Sequence, residues 1–169
     1  MAQYDRVASC MAMDITNIDS PRLLPESRRS DHRLCAKFLL STALKKHSCT
    51  TFVACHFMNQ TFDLNRLGAM LDKYPNLYSD VSQRESYVAA IPRFAKQFME
   101  KYSNHLVYGT DQGYSLPMYR NTFHIWETLD EHFYAWDVAN TRFALSGVGL
   151  SDATLRKLYR DNALRILKK

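Results

Sequence analysis

A histidine and two aspartates stand where short apolar runs give way to polar loops. They are His56 after Phe52-Val53-Ala54-Cys55, Asp80 within Leu77-Tyr78-Ser79-Asp80-Val81, and Asp111 after Leu106-Val107-Tyr108-Gly109-Thr110. An imidazole and a carboxylate on neighbouring strand ends suit a metal that takes oxygen and nitrogen ligands, zinc or manganese, and such an ion lowers the pKa of a bound water. Each residue also has a plainer reading. A lone histidine after an apolar strand is more often a satisfied core residue, and Asp111, between Gly109 and Gly113, serves equally well as a turn or cap residue. Arg84 and Tyr87, just beyond the second run, offer a carboxylate clamp and a hydroxyl donor to a substrate, or else lie on the surface.

Such side chains meet only if the runs that carry them are neighbours in one sheet. In parallel α/β folds the loops at the carboxyl ends of the strands open onto a shared crevice. From about residue 31 short apolar runs alternate with amphipathic stretches, the pattern of a parallel sheet with helical crossovers. Cys35, Phe38, Leu39, Thr42 and Ala43 fall on one face of a helix that ends near Lys45-Lys46-His47. Thr51 to Cys55 reads as a buried strand. Asp63 then caps a helix whose Leu64, Leu67, Gly68 and Leu71 share a face until Lys73-Tyr74-Pro75-Asn76 stops it. Leu77 to Val81 is the second strand.

Ala95, Phe98, Met99 and Tyr102, with Pro92 near the first turn, predict a third helix, and His105 to Tyr108 the third strand. Beyond a turn around Gly113, Met118, Thr122, Ile125, Trp126, Leu129 and Phe133 have helical spacing and carry His124 and His132 with them. The last helix begins at Ser151 and buries Leu155, Leu158, Tyr159, Asn162, Ala163 and Ile166. Pro21, Pro25 and the serines around Arg28-Arg29 break any sustained period. Residues 1–30 are therefore expected to be irregular, and 31–169 to form one domain.

Composition narrows the classes. The chain has 169 residues, 46% of them hydrophobic, enough for one core. No run approaches the roughly 20 apolar residues that cross a bilayer, and Met1-Ala2-Gln3-Tyr4-Asp5-Arg6 lacks the layout of a signal peptide. No membrane partner is expected, and a cytoplasmic location is the default. The formal charge of +5 is spread along the chain rather than clustered, so no nucleic-acid partner is expected. Cys10, Cys35, Cys49 and Cys55 have neither C-x-x-C spacing nor the density of a disulfide scaffold, and read as reduced thiols.

Four segments, in order, resemble the amidohydrolase-related family of metal-dependent hydrolases. They are Thr50 to Phe57, Leu71 to Asp80, Leu106 to Asp111, and Gly149-Leu150-Ser151-Asp152 through Tyr159-Arg160-Asp161-Asn162-Ala163-Leu164-Arg165-Ile166-Leu167, so the resemblance spans about residues 32 to 167. It implies a distorted (β/α)8 barrel with one catalytic divalent metal, most often zinc, with manganese as the other choice. Asp111 matches the metal-binding aspartate at the end of the eighth strand. His56 matches the histidine at the end of the sixth, which orients or activates the water or substrate, and Asp161-Asn162-Ala163 matches the structural closing helix. The family's His-x-His pair and its fifth-strand histidine are not identifiable, and His32 comes too late in the chain and does not follow a strand.

About three strands with their helices are visible, and a full barrel takes about 250 residues. The expected fold is therefore α/β, the C-terminal part of a (β/α)8 TIM barrel. The expected activity is metal-dependent hydrolysis of a small carbonyl or carboxylate substrate, with non-oxidative decarboxylation as the sibling reaction. The other expectation is a catalytically silent fragment, or a structural half that completes a barrel with another chain or assembles as a homo-oligomer.

Overall fold

The short apolar runs become parallel strands because each is flanked by residues that cannot continue it. The computed structural model describes residues 7–8, 40–135 and 143–168. The expected helix face at Cys35, Phe38 and Leu39 lies outside these, as do His32, Cys10 and, beyond its strand, nearly all of the first thirty residues. The strands are β1 (Val7–Ala8), β2 (Thr51–Ala54), β3 (Leu77–Asp80) and β4 (Leu106–Val107), all parallel and in the order β1-β2-β3-β4. The β2 and β3 registers pair Phe52 with Leu77 and Ala54 with Ser79, and β3 meets β4 with Asp80 opposite Val107. Parallel pairing puts every carboxyl end on one side, so His56, Asp80 and Asp111 come to one rim. The two-residue β1 stands in the segment whose composition carries no strand signal, and it pairs in parallel with β2.

Helix α1 spans 40–46. Asp63 caps α2 (Leu64–Lys73) by accepting from the Arg66 N–H, and Leu64, Leu67, Gly68 and Leu71 are its buried face. At Gly68 the Tyr102 ring leaves no room, since an added Cβ would lie 2.6 Å from the Tyr102 hydroxyl. That hydroxyl donates to Asp72 and so ties α2 to the end of α4 (Pro92–Lys101). Between β3 and α4 runs a five-residue helix, α3 (Glu85–Ala89), whose sequence is too short and polar to show a period.

Helix α5 (Leu116–Glu127), capped by Ser115, is shorter than its spacing predicts. Thr128 turns extended and its hydroxyl donates back to the His124 carbonyl, ending the helix. Leu129 is exposed, His132 takes a left-handed φ of 59°, and Phe133 bridges antiparallel to Leu145. Leu129, His132 and Phe133 thus lie beyond the helix despite their spacing. The C-terminal stretch consists of α6 (Asp152–Arg156), one π turn (Lys157–Asp161) and α7 (Asn162–Leu167).

This C-terminal stretch closes the outer edge of β4. The His105 and Val107 carbonyls accept from Ser79 and Val81 of the neighbouring strand. Alternation then aims the Leu106 carbonyl and the Tyr108 N–H at the open side. In the π turn the Asn162 N–H bonds the Lys157 carbonyl, five residues back, and the Leu158 carbonyl accepts from Tyr108 at 2.9 Å. The buried Asn162 side chain donates to the Leu106 and Ser103 carbonyls, each at 2.7 Å. Edge groups that would otherwise invite another strand are therefore satisfied within the chain.

The same helix covers the second face of the sheet. Phe52, Leu77 and Leu106 point into the main core with Leu67, Met99 and Trp126, whereas Val53, Tyr78 and Val107 pack against Ile166 of α7. Among the described residues, helices thus lie on both faces of a four-stranded parallel sheet. The mixed α/β architecture is consistent with part of a TIM barrel. Replacing Asn162 by Leu keeps the volume but strips the Leu106 and Ser103 carbonyls of their donor. Urea unfolding of Asn162→Leu should show a loss of about 1–3 kcal/mol; an unchanged midpoint would contradict this role.

Candidate functional site

The rim is built on an unusual turn. After β2 the chain does not extend but winds through four consecutive residues with positive φ: His56 (61°), Phe57 (51°), Met58 (52°) and Asn59 (52°). None is glycine, and left-handed helical backbone costs an L-residue about 1–2 kcal/mol. Burial and hydrogen bonds offset that cost. Phe57 and Met58 are buried, the His56 N–H donates to Asp80 Oδ1 at 2.7 Å, and Arg84 donates through Nε (3.1 Å) and Nη2 (2.6 Å) to Asn59 Oδ1. Gln83 and Asp111, in the loops after β3 and β4, are also left-handed, and the Gln83 amide donates to the Asp111 carbonyl. The loops after β2, β3 and β4 are thus tied one to the next.

At the centre is His56. Its Nδ1 lies 2.9 Å from Ser82 Oγ and 3.1 Å from the Ser82 carbonyl oxygen, and its Nε2 lies 3.5 Å from Asp111 Oδ2. Ser82 Oγ donates to Asp80 Oδ1 at 2.6 Å, and the Ser82 N–H donates to the same oxygen. The imidazole is mostly enclosed, with 13% of its side chain exposed, whereas the Asp111 side chain is 58% exposed and open to a ligand.

Of the residues anticipated from sequence, His56, Asp80 and Asp111 do converge. Arg84 is beside them, but it braces the left-handed turn and donates through Nη1 to the Gln83 carbonyl, keeping its remaining N–H groups for other partners. Tyr87 is exposed, its ring 5.9 Å from the Arg84 guanidinium. The other described histidines near the sheet or after it have structural partners: His105 on the Leu77 carbonyl, His124 on Asp130, and His132 beside the Tyr134 hydroxyl.

Ser82, Asn59, Gln83 and Glu85 were not singled out by sequence. Ser82 follows Asp80 by two positions in a strand-to-helix loop, the only trace it leaves. Glu85 is buried at the start of α3, and that burial raises its carboxyl above the usual range, against the pull of the Glu85 and Arg84 backbone N–H groups and the Arg84 and His56 charges. A cleft of 750 Å³ lies elsewhere, lined by Ile91, Phe94, Lys96, Leu129 and His132 among others, and the rim residues take no part in it.

A carboxylate oxygen and an imidazole nitrogen side by side are donors of the kind zinc accepts, but a zinc site takes about four ligands. Among the described residues no three His, Cys, Asp or Glu side chains are grouped to hold a metal. His56 and Asp111 fit one wall of such a site.

A raised folded-state pKa means that Glu85 binds more protons folded than unfolded. It therefore weakens folding as pH rises through the ordinary carboxylate value, about 4. Glu85→Gln should accordingly raise the Tm at pH 7, with the gain fading as pH falls below about 4. A gain independent of pH would contradict the assignment.

Comparison with known proteins adds one match. Residues 34–169 match the family model described as Amidohydrolase. No curated protein and no solved structure matches the chain.

Proposed function

The chain belongs to the amidohydrolase family, and from that premise we propose that its rim is one wall of a metal-dependent hydrolase site acting through an activated water on a small carbonyl or carboxylate substrate. The observation that carries this reading is the pairing of an enclosed imidazole nitrogen, His56 Nε2, with an exposed carboxylate oxygen, Asp111 Oδ2, at 3.5 Å. Asp111 would hold the ion, and its other ligands would come from residues beyond those described. A bound zinc, or manganese in its place, supplies a water of lowered pKa and polarises the substrate carbonyl.

The chain's own residues do the rest. His56, with Nδ1 tied to Ser82, presents only Nε2 to the substrate; as the imidazolium, with a proton on each ring nitrogen, it donates from Nε2 to the oxygen that gains negative charge. Asp111, being open to solvent, can take up and release a proton beside it. The uncommitted N–H groups of Arg84 and the hydroxyl of Tyr87 would receive a substrate carboxylate. In a non-oxidative decarboxylase the same groups would steady the carboxylate and return a proton to carbon, so release of carbon dioxide separates that reaction from hydrolysis.

A second reading is favoured by the shortage of donors among the described residues: the chain is catalytically silent, or serves as the structural half of a split barrel. A partner half adding a strand at β4 would have to displace Asn162 and Leu158 from that edge. In the enzyme reading the partner is a small molecule, and a homo-oligomer is compatible with it. Neither nucleic acid nor membrane is invoked, and among the described residues no helix is long and apolar enough to cross a bilayer.

Elemental analysis of purified protein tests the enzyme reading. About one equivalent of zinc or manganese is expected in the wild type, lost in Asp111→Ala. His56→Ala should keep the metal while losing about 100-fold or more of the hydrolytic rate. Metal unchanged in Asp111→Ala would overturn the ligand assignment, and a metal-free wild type would favour the silent reading.

A further inference from the structure

A histidine can offer a ring nitrogen to a reaction only if its other nitrogen is held in a known state. The donors and acceptors behind His56 determine that state. Asp80 Oδ1 belongs to a carboxylate and accepts only, and it takes the Ser82 hydroxyl at 2.6 Å. A hydroxyl has one proton. With that proton on Asp80, Ser82 Oγ meets His56 Nδ1, 2.9 Å away, as an acceptor. The Ser82 carbonyl oxygen, 3.1 Å from the same nitrogen, can also only accept. The reverse arrangement would turn the Ser82 hydroxyl away from a charged carboxylate and set the Nδ1 lone pair against a carbonyl lone pair. Two separate contacts therefore demand a proton on Nδ1.

We infer that Asp80 and Ser82 are positioning residues that hold His56 with its proton on Nδ1, leaving Nε2 as the one ring atom able to exchange a proton or offer a lone pair beside Asp111. Ser82 is 3% exposed, so water does not compete for this contact. Asp80 Oδ1 also receives the His56 and Ser82 backbone N–H groups, which fixes the carboxylate before the hydroxyl reaches it. The chain Asp80 to Ser82 to His56 to Asp111 thus runs from a half-buried charge to an open one, and its direction is set by the single hydroxyl proton. The tautomer rests on these contacts alone. Its value to a reaction rests on the hydrolase reading above.

The test needs neither metal nor substrate. In metal-free protein labelled with nitrogen-15 at histidine, long-range proton–nitrogen correlations at about pH 9, where imidazole is neutral, distinguish a protonated ring nitrogen from one with a free lone pair. Wild type should show Nδ1 protonated and Nε2 free. In Ser82→Ala the signals should shift toward a mixture of the two tautomers, and Ser82→Thr, which keeps the hydroxyl, should retain the wild-type signature. A wild-type ring protonated on Nε2, or a Ser82→Ala spectrum indistinguishable from wild type, would overturn the inference. Because metal retention is measured separately, a failure here is distinguishable from a failure of the hydrolase reading.

Discussion

One carboxylate oxygen, Asp80 Oδ1, holds the strand-end rim together. It accepts from the His56 N–H, the Ser82 N–H and the Ser82 hydroxyl. The first bond secures the entry to a turn of four left-handed residues, a conformation the backbone does not adopt without compensation. The other two settle the loop that carries Ser82, and through Ser82 the imidazole ring. A hydrogen bond to a charged acceptor contributes about 1.5–3 kcal/mol, so three on one atom are of the size needed to hold several strained residues. Position and chemistry are coupled here: the group that stabilises the turn also decides which imidazole nitrogen faces Asp111.

Among the described residues the sheet beneath this rim is open in topology but not bare. A parallel sheet needs both faces covered, and α7 supplies through Ile166 the cover that Val53, Tyr78 and Val107 require. The π turn releases the Leu158 carbonyl to Tyr108, and Asn162 turns its amide onto β4 instead of its own helix. One helical irregularity thereby seals an edge. The consequence for function is positional, because β4 leads through Tyr108 into Gly109, Thr110 and Asp111, and an anchored strand fixes where that aspartate emerges.

Much of this was legible in the sequence. The β2 and β3 runs, the Asp63 cap, the α2 and α4 faces and the burial of Asn162 all follow from periodicity and capping, which are local signals. The run ending in Leu129 and Phe133 shows where such signals mislead. Its helical spacing persists past Glu127, but Phe133 is claimed by a tertiary bridge to Leu145, and the Thr128 hydroxyl ends the helix locally by donating back to the His124 carbonyl. Strand β1 is too short to leave a pattern among prolines and serines, and it exists by pairing with β2. At the rim, His56 and Asp111 were visible as polar residues after apolar runs. Ser82 was not, since a serine beyond a strand is ordinary until its partners are known. The left-handed turn was hidden too, because Phe57, Met58 and Asn59 are not the residues that sequence associates with positive φ.

We propose that Asp111, beside an imidazole positioned by Asp80 and Ser82, marks a metal site of the amidohydrolase type. A crystal grown with zinc and measured on either side of the zinc absorption edge addresses it most directly. An anomalous peak bonded to the Asp111 carboxylate and next to His56 Nε2 is the predicted result. A peak elsewhere, or none at the rim, would contradict it.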